Sequence, residues 1–371
     1  MTQPPRIVYA GPLMEWGSCL SRLRALQALE PNITVFDTQE YFFSPSSRSI
    51  LQSLDEKLTF AGPVFKRANA DFLSLCDSAS PDIVWIDKSV WVWESTLKEL
   101  RKRGVFLVHH NNDALYPSGW RISAHYRLLR RTLPYYDLYI TTNAADWKAR
   151  KDRDDPPTEL SYMGYDSFRF ENSPLSSELA RQWASDILFV GHHEPSYELK
   201  ILALADAGLA VRVYGPDWER AKERKRLAGV LQYKPLYMDD YVHALKGAKI
   251  GLSFFSELNY QQRAMRSFET AACGTFVLGM RSAQHAECFE EGVEAEFFGD
   301  TRELVDKARY YLASKNERKR LEIAKKGQER CVRSDYSWAR YMRDDWAKTC
   351  ARFAVFCENR LNATHVNHAK T

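Results

Sequence analysis

Arg266-Ser267-Phe268-Glu269-Thr270-Ala271-Ala272-Cys273-Gly274-Thr275-Phe276-Val277-Leu278-Gly279 reads as a short helix, a tight stop and a buried strand. Arg266 and Glu269 stand three residues apart and so project from one face of the helix. Ala271, Ala272 and Cys273 are small enough to let that helix lie close on a sheet. Gly274 can take the left-handed conformation that ends a helix at little cost. An arginine at a helix start suits a phosphate, because the free backbone N–H groups, the helix dipole and the guanidinium all favour negative charge there. A carboxylate one turn further on can accept hydrogen bonds from a pair of sugar hydroxyls. Together these residues point to a nucleotide-sugar site, although the same pair also fits a plain surface salt bridge on a βαβ helix.

Working outward, the chain repeats a short apolar strand followed by a polar, helix-like stretch. The first half offers strands at residues 6–10, 33–37, 83–87, 105–109, 138–142 and 159–163. The second half offers 187–191, 210–214, 230–233, 250–255, 275–279 and 295–298. Near-continuous apolar runs separated by amphipathic stretches mean parallel strands buried on both faces. Two such series predict two doubly wound α/β domains of Rossmann-like type, 1–172 and 173–335, joined where Glu171-Asn172-Ser173-Pro174 breaks the alternation. Helices are expected at 302–313, 317–331 and 338–356, the last with Met342, Trp346, Cys350 and Phe353 on one apolar stripe. Residues 336–371 then form a terminal helix and a polar, loose tail from Asn359.

The segment beginning Arg266-Ser-Phe-Glu269 continues through His285-Ala-Glu287, Phe289-Glu-Glu-Gly292 and Glu294-Ala-Glu-Phe-Phe298. Beyond it come Asp300-Thr-Arg-Glu-Leu304, Gly327-Gln-Glu-Arg330 and Tyr336-Ser-Trp-Ala-Arg340. This series resembles the donor-binding half of GT-B glycosyltransferases, most of all the CgeB-like (spore maturation protein type) branch. The resemblance covers residues 185–345 well and the first half loosely. It implies a GT-B fold, with two Rossmann-like domains facing a cleft and the terminal helix crossing back to the first domain. It also implies transfer of a sugar, as by a hexosyltransferase, from a nucleotide-sugar donor held by the second domain to an acceptor held by the first. Many retaining members carry a Glu eight positions before the helix acid; here that position is Gln261, so neither inversion nor retention is implied.

Composition sets bounds on this expectation. A formal net charge of +4, dispersed over both signs, is too mild to imply nucleic acid as a partner. The basic run at residues 121–131 fits a solvated helix face, or a surface for an anionic acceptor or the membrane interface. Seven cysteines without a CxxC pair predict reduced thiols and a cytoplasmic protein. With no apolar run of ~18 residues, no transmembrane segment is expected, while peripheral membrane contact stays open.

Ligands of open α/β sheets bind beyond the carboxyl ends of the strands, so strand-end residues are the candidates. Gly17 and Ser18, after the first strand, could bring backbone amides to the donor, or Ser18 could simply cap a helix. The loop lacks the GxGxxG spacing of a nicotinamide site. After the fourth strand come His110-Asn111-Asn112-Asp113, polar groups costly to place there without partners. An inverting transfer needs a base at the acceptor hydroxyl. Asp113 is the first choice because CgeB-like sequences tend to place an Asp here, and His110 is the second. The alternative is a hydrogen-bonded turn with Asp113 as a cap.

In the second half, Gly191, His192 or His193, Gly215 and Gln261 are candidate donor contacts, and Arg263 joins Arg266 at the diphosphate. Tyr233 to Tyr241 lie where the resembling enzymes seat the base, but ordinary core packing is the favoured reading of these tyrosines. Adjacent histidines chelate poorly and no HExxH or Asp-x-Asp pattern accompanies them, so no metal and no other cofactor is expected. Fixed positive groups would stabilise the departing nucleotide diphosphate instead. The acceptor, whether glycan, protein or small molecule, is not legible. A sugar-nucleotide epimerase and a catalytically degenerate nucleotide-sugar-binding scaffold are the alternative functions.

Overall fold

In the computed structural model, which describes residues 4–42, 59–88, 90–172 and 174–368, the apolar runs become two wholly parallel sheets. The first holds β1 (Ile7–Gly11), β2 (Ile33–Asp37), β3 (Ile83–Asp87), β4 (Phe106–Asn111), β5 (Leu138–Thr141) and β6 (Thr158–Leu160). Their order is β2-β1-β3-β4-β5-β6, so the chain leaves β1 toward one edge and returns to β3 on its other side. The second sheet holds β7 (Ser185–Val190), β8 (Val211–Tyr214), β9 (Ala248–Ser253), β10 (Phe276–Met280) and β11 (Glu296–Phe298), in the order β11-β10-β9-β7-β8. Its reversal falls between β7 and β9.

One unit comprises Met1–Tyr162, Leu258–Tyr260 and Ala339–Thr371, the other Met163–Glu257 and Gln261–Trp338. The expected joins at 172 and 335 therefore shift to 162 and 338: the short helices Ser167–Asn172 and Ser177–Trp183 belong to the second unit. The terminal helix runs Trp338–His368, so the stretch from Asn359 to His368, expected to be loose, is helical. Met342, Trp346 and Phe353 pack with Ile7, Tyr9, Trp85 and Phe106 on one face of the first sheet. The other face is covered by Phe65, Phe72, Leu97 and their neighbours.

Three local expectations change. Residues 230–233 make only an isolated bridge, Val213 with Leu231, because Tyr233 turns the chain at a φ of 50°. Strand β4 runs on through His110 and Asn111, where the sequence predicts a loop. The basic run forms the two short helices Trp120–His125 and Arg127–Thr132; the Arg121 side chain lies outside the described residues. Arg130 is not a free cation there, since its Nη1 donates to the Leu115 carbonyl at 2.6 Å.

All seven cysteines are free thiols. Among the described residues no helix is long and apolar enough to cross a membrane.

Candidate functional site

The helix Met265–Ala272 begins after an extended Ala264 and buries Phe268, Ala271 and Ala272. It lies so close on β9 that a Cβ on Gly251 would come within 2.4 Å of the Thr270 methyl. Gly274, at a φ of 72°, ends it as the sequence predicts. Arg266, in the first turn, reaches the switch point between β7 and β9. Its guanidinium lies 4.9 Å from the centre of the Phe189 ring, and a Cβ on Gly191 would sit 2.8 Å from its Nη2. Gly191 and Gly215 abut there as bare backbone: a Cβ on Gly215 would fall 2.0 Å from the Gly191 carbonyl oxygen. The structure thus brings Gly191, Gly215 and Arg266 to one place. Among the described residues Arg266 has no ion pair, and its buried Nε has no hydrogen-bond partner. Buried polar groups of this kind are rare in folded proteins without a ligand, water or ion to meet them.

No Arg266–Glu269 salt bridge forms. Glu269 instead accepts a 2.6 Å hydrogen bond at Oε2 from the Tyr241 hydroxyl. Burial raises its carboxyl above the ordinary range, and that hydrogen bond and Arg266 offset only part of the rise. In the sequence Tyr241 stands out only as the end of the run from Tyr233, not as a partner of Glu269. Its signal is its place in the helix Met238–Gly247, directly before β9. Tyr233 and Tyr237 are exposed, which rules out the core packing expected of them.

Arg263 departs from expectation. Its guanidinium stacks 4.5 Å from the Phe268 ring centre and 5.6 Å from that of Tyr336, whereas Arg266 lies over Phe189. Gln261 donates its backbone N–H to the Ser256 carbonyl at 3.1 Å, which fixes the turn before the helix. The two histidines divide. His193 is held by Glu198 at 2.7 Å and lies edge-on to Trp218, a structural setting. His192 is 56% exposed, meets Glu194 at 3.1 Å and has its ring centre 6.1 Å from that of Tyr197, so of the two it is the one open enough to turn to a ligand. Among the described residues no group of three or more His, Cys, Asp or Glu side chains is placed to hold a metal ion.

In the first unit the switch point lies between β1 and β3. A Cβ on Gly11, at the end of β1, would stand 3.1 Å from the Asp87 carbonyl oxygen at the end of β3. Gly17, not Ser18, is the N-cap of the opening helix Ser18–Gln27, and it makes no side-chain cap bond. The Ser18 hydroxyl instead accepts a long 3.4 Å bond from Asn112 Nδ2, which brings the β1 and β4 loops together. Asp113 accepts a 2.8 Å bond from the Tyr126 hydroxyl and lies 3.6 Å from Lys88 Nζ. Burial would push its carboxyl up, but Lys88 and Tyr126 outweigh burial and hold it below the ordinary range.

His110 is corrected outright. It has no exposed surface, with Nδ1 3.7 Å from Asp87 and Nε2 3.7 Å from Asp345. A group so enclosed cannot meet an acceptor hydroxyl. Lys88 is the residue that sequence reading missed; its signal is a cation directly after the apolar run Ile83-Val-Trp-Ile86 and Asp87.

Residues 198–344 match the family described as "Glycosyl transferase-like". No curated protein matches the chain in sequence. Among solved structures, the sucrose-phosphate synthase of Thermosynechococcus elongatus superposes with a TM-score of 0.67 at 14% identity, over 95% of this chain and 100% of its own. HepE of Anabaena, in complex with UDP and glucose, gives 0.65 at 15% identity, over 94% and 100%. A putative UDP-N-acetylglucosamine 2-epimerase from Listeria monocytogenes gives 0.58 at 13% identity, over 95% and 97%. The two parallel-sheet domains therefore have the GT-B fold.

Proposed function

We propose that the chain is a nucleotide-sugar-dependent glycosyltransferase of the CgeB-like branch, moving a hexosyl group to an acceptor hydroxyl without a metal ion. The observation that carries the reading is Arg266: a guanidinium without an ion pair among the described residues, its buried Nε unmatched there, beside two side-chain-free glycines at the start of a helix. That is a setting for a diphosphate. Glu269, one turn on, has its Oε1 left over from the Tyr241 bond to accept from ribose hydroxyls. His192 is the exposed group beside Gly191 that can approach the sugar or phosphates. The family match across 198–344 and the UDP bound by HepE support this assignment of the donor to the second unit.

The acceptor then belongs to the first unit, at Ser18, Asn112 and Asp113. Seven unpaired thiols support work in the reducing cytoplasm.

Arg266→Ala should weaken nucleoside-diphosphate binding by about 1.5–3 kcal/mol, the range of a charge-assisted hydrogen bond. Glu269→Gln should weaken nucleosides and nucleoside diphosphates alike. Calorimetry on both variants decides the assignment, and wild-type affinities in both would remove it.

Turnover should also survive excess chelator, since a fixed cation replaces the divalent ion at the leaving group. Activity lost to chelator and restored by magnesium or manganese would overturn that part. The Listeria structure described as a putative UDP-N-acetylglucosamine 2-epimerase has a similar fold, which favours an epimerase as the second reading. It would interconvert the donor sugar without an acceptor, which product analysis separates from transfer or donor hydrolysis.

A further inference from the structure

The floor of the first unit's switch point is built round a charge pair with no exposed surface. Arg22, on the opening helix, donates from Nε to Asp87 Oδ2 at 2.8 Å and from Nη2 to Oδ1 at 2.7 Å. The Tyr9 hydroxyl donates to the same carboxylate. Two parallel N–H···O bonds fix a carboxylate in orientation as well as place. Such a pair is seldom more stabilising than apolar residues of the same volume, so its presence calls for a positional reason.

The next residue supplies one. Lys88 takes a φ of 50°, a left-handed backbone that a lysine adopts only where its surroundings impose it. Its N–H is pinned to the His110 carbonyl at 2.8 Å. Its side chain, 41% exposed, ends 3.6 Å from Asp113.

We propose that Lys88 is a positioning residue for the catalytic base. The buried Arg22–Asp87 pair fixes the end of β3, the left-handed turn carries the Lys88 side chain over to the β4 loop, and its ammonium holds the Asp113 carboxylate in place. This inference rests on Asp113 being the base. The groups facing Asp113 are Lys88, Tyr126 and, further off, His125 and Asp146. Burial and Asp113 itself keep Tyr126 protonated, so it is a neutral donor. Burial pushes the Asp146 carboxyl up to about 6, so near neutral pH it adds a like charge. Lys88, raised by Asp113, is the cation that persists across neutral pH.

Lys88→Met keeps length and removes the charge, while Lys88→Arg keeps the charge. Carbon-13 carboxyl NMR of the full chain, with Asp113→Asn to assign the signal, should show Asp113 titrating at higher pH in Lys88→Met and near its wild-type position in Lys88→Arg. The acid limb of the turnover profile should move upward with it, so that the loss in Lys88→Met shrinks as pH rises. An Asp113 titration unmoved in Lys88→Met would overturn the positioning role. The titration needs neither donor nor acceptor, so it stands apart from the reading of Asp113 as base. That reading falls if Asp113→Asn transfers at the wild-type rate, whatever the titration shows.

Discussion

Replacing Arg22 with leucine is expected to lower the stability of the first unit by about 3–5 kcal/mol, the cost of stripping the partner from a buried charge. Both side chains of the Arg22–Asp87 pair are fully buried, and Asp87 cannot turn to water when its partner is lost. The Tyr9 hydroxyl and the more distant His110 would remain beside it, and they do not replace the two charge-assisted bonds of the guanidinium. The double variant Arg22→Leu with Asp87→Leu should recover much of the loss, because it removes both charges together. Acid sensitivity gives a second check. Burial pushes the Asp87 carboxyl up, but Arg22 and His110 more than reverse this and bring it to about 2. A folded carboxyl that titrates below its unfolded value of about 3.9 supplies stability that is full above that pH. The contribution fades as pH falls toward about 2. Urea unfolding at pH 7 and through the acid range measures both effects. An Arg22→Leu chain as stable as wild type at pH 7 would show that the pair is no fixture of the fold.

The sequence made the architecture plain because parallel strands buried on both faces leave runs such as Ile83-Val-Trp-Ile86 that little else produces. It misplaced 230–233 for the opposite reason: a short, half-polar run reads as a strand until one residue, Tyr233, adopts a conformation no pattern encodes. His110 and Asn111 looked like a loop because polarity at a strand end normally means water. Here the partners of His110 are Asp87 and Asp345, carboxylates remote in sequence that become visible only when the terminal helix packs on the sheet. Arg266 and Glu269 were legible from spacing, but what each touches was not. Phe189 beneath Arg266 and Tyr241 on Glu269 come from other elements, and the stacking of Arg263 on Phe268 and Tyr336 was no more legible. Lys88 was invisible for a related reason, since a lysine after a strand is common and only its left-handed backbone and its distance to Asp113 mark it.

Asp113→Asn is expected to cut turnover by about 10²-fold or more, the usual scale for loss of a general base. Its affinity for nucleotide should not change, because Gly191, Arg266 and Glu269 all lie in the other unit. The carboxamide keeps the shape and can still accept the Tyr126 bond, so a fall in rate would report the lost proton acceptor and not a collapsed loop. If Asp113 is the base, the same chemistry fixes the pH dependence of wild-type turnover. A base works deprotonated, and Asp113 is held below the ordinary carboxylate range against the opposing pull of burial. The acid limb should therefore begin below the usual Asp titration near pH 3.9, and turnover should be insensitive to this group at neutral pH. That charge comes at some loss of basicity, which transfer can tolerate when a fixed cation assists the leaving diphosphate. Rates and donor affinities of the two proteins, taken together, decide the matter. Wild-type turnover in Asp113→Asn would leave the residue as a tie between Lys88 and Tyr126. With His110 sealed in the core, the chemistry would then turn to a retaining path without a protein base, with Gln261 at the position where the retaining enzymes that this segment resembles often carry a glutamate.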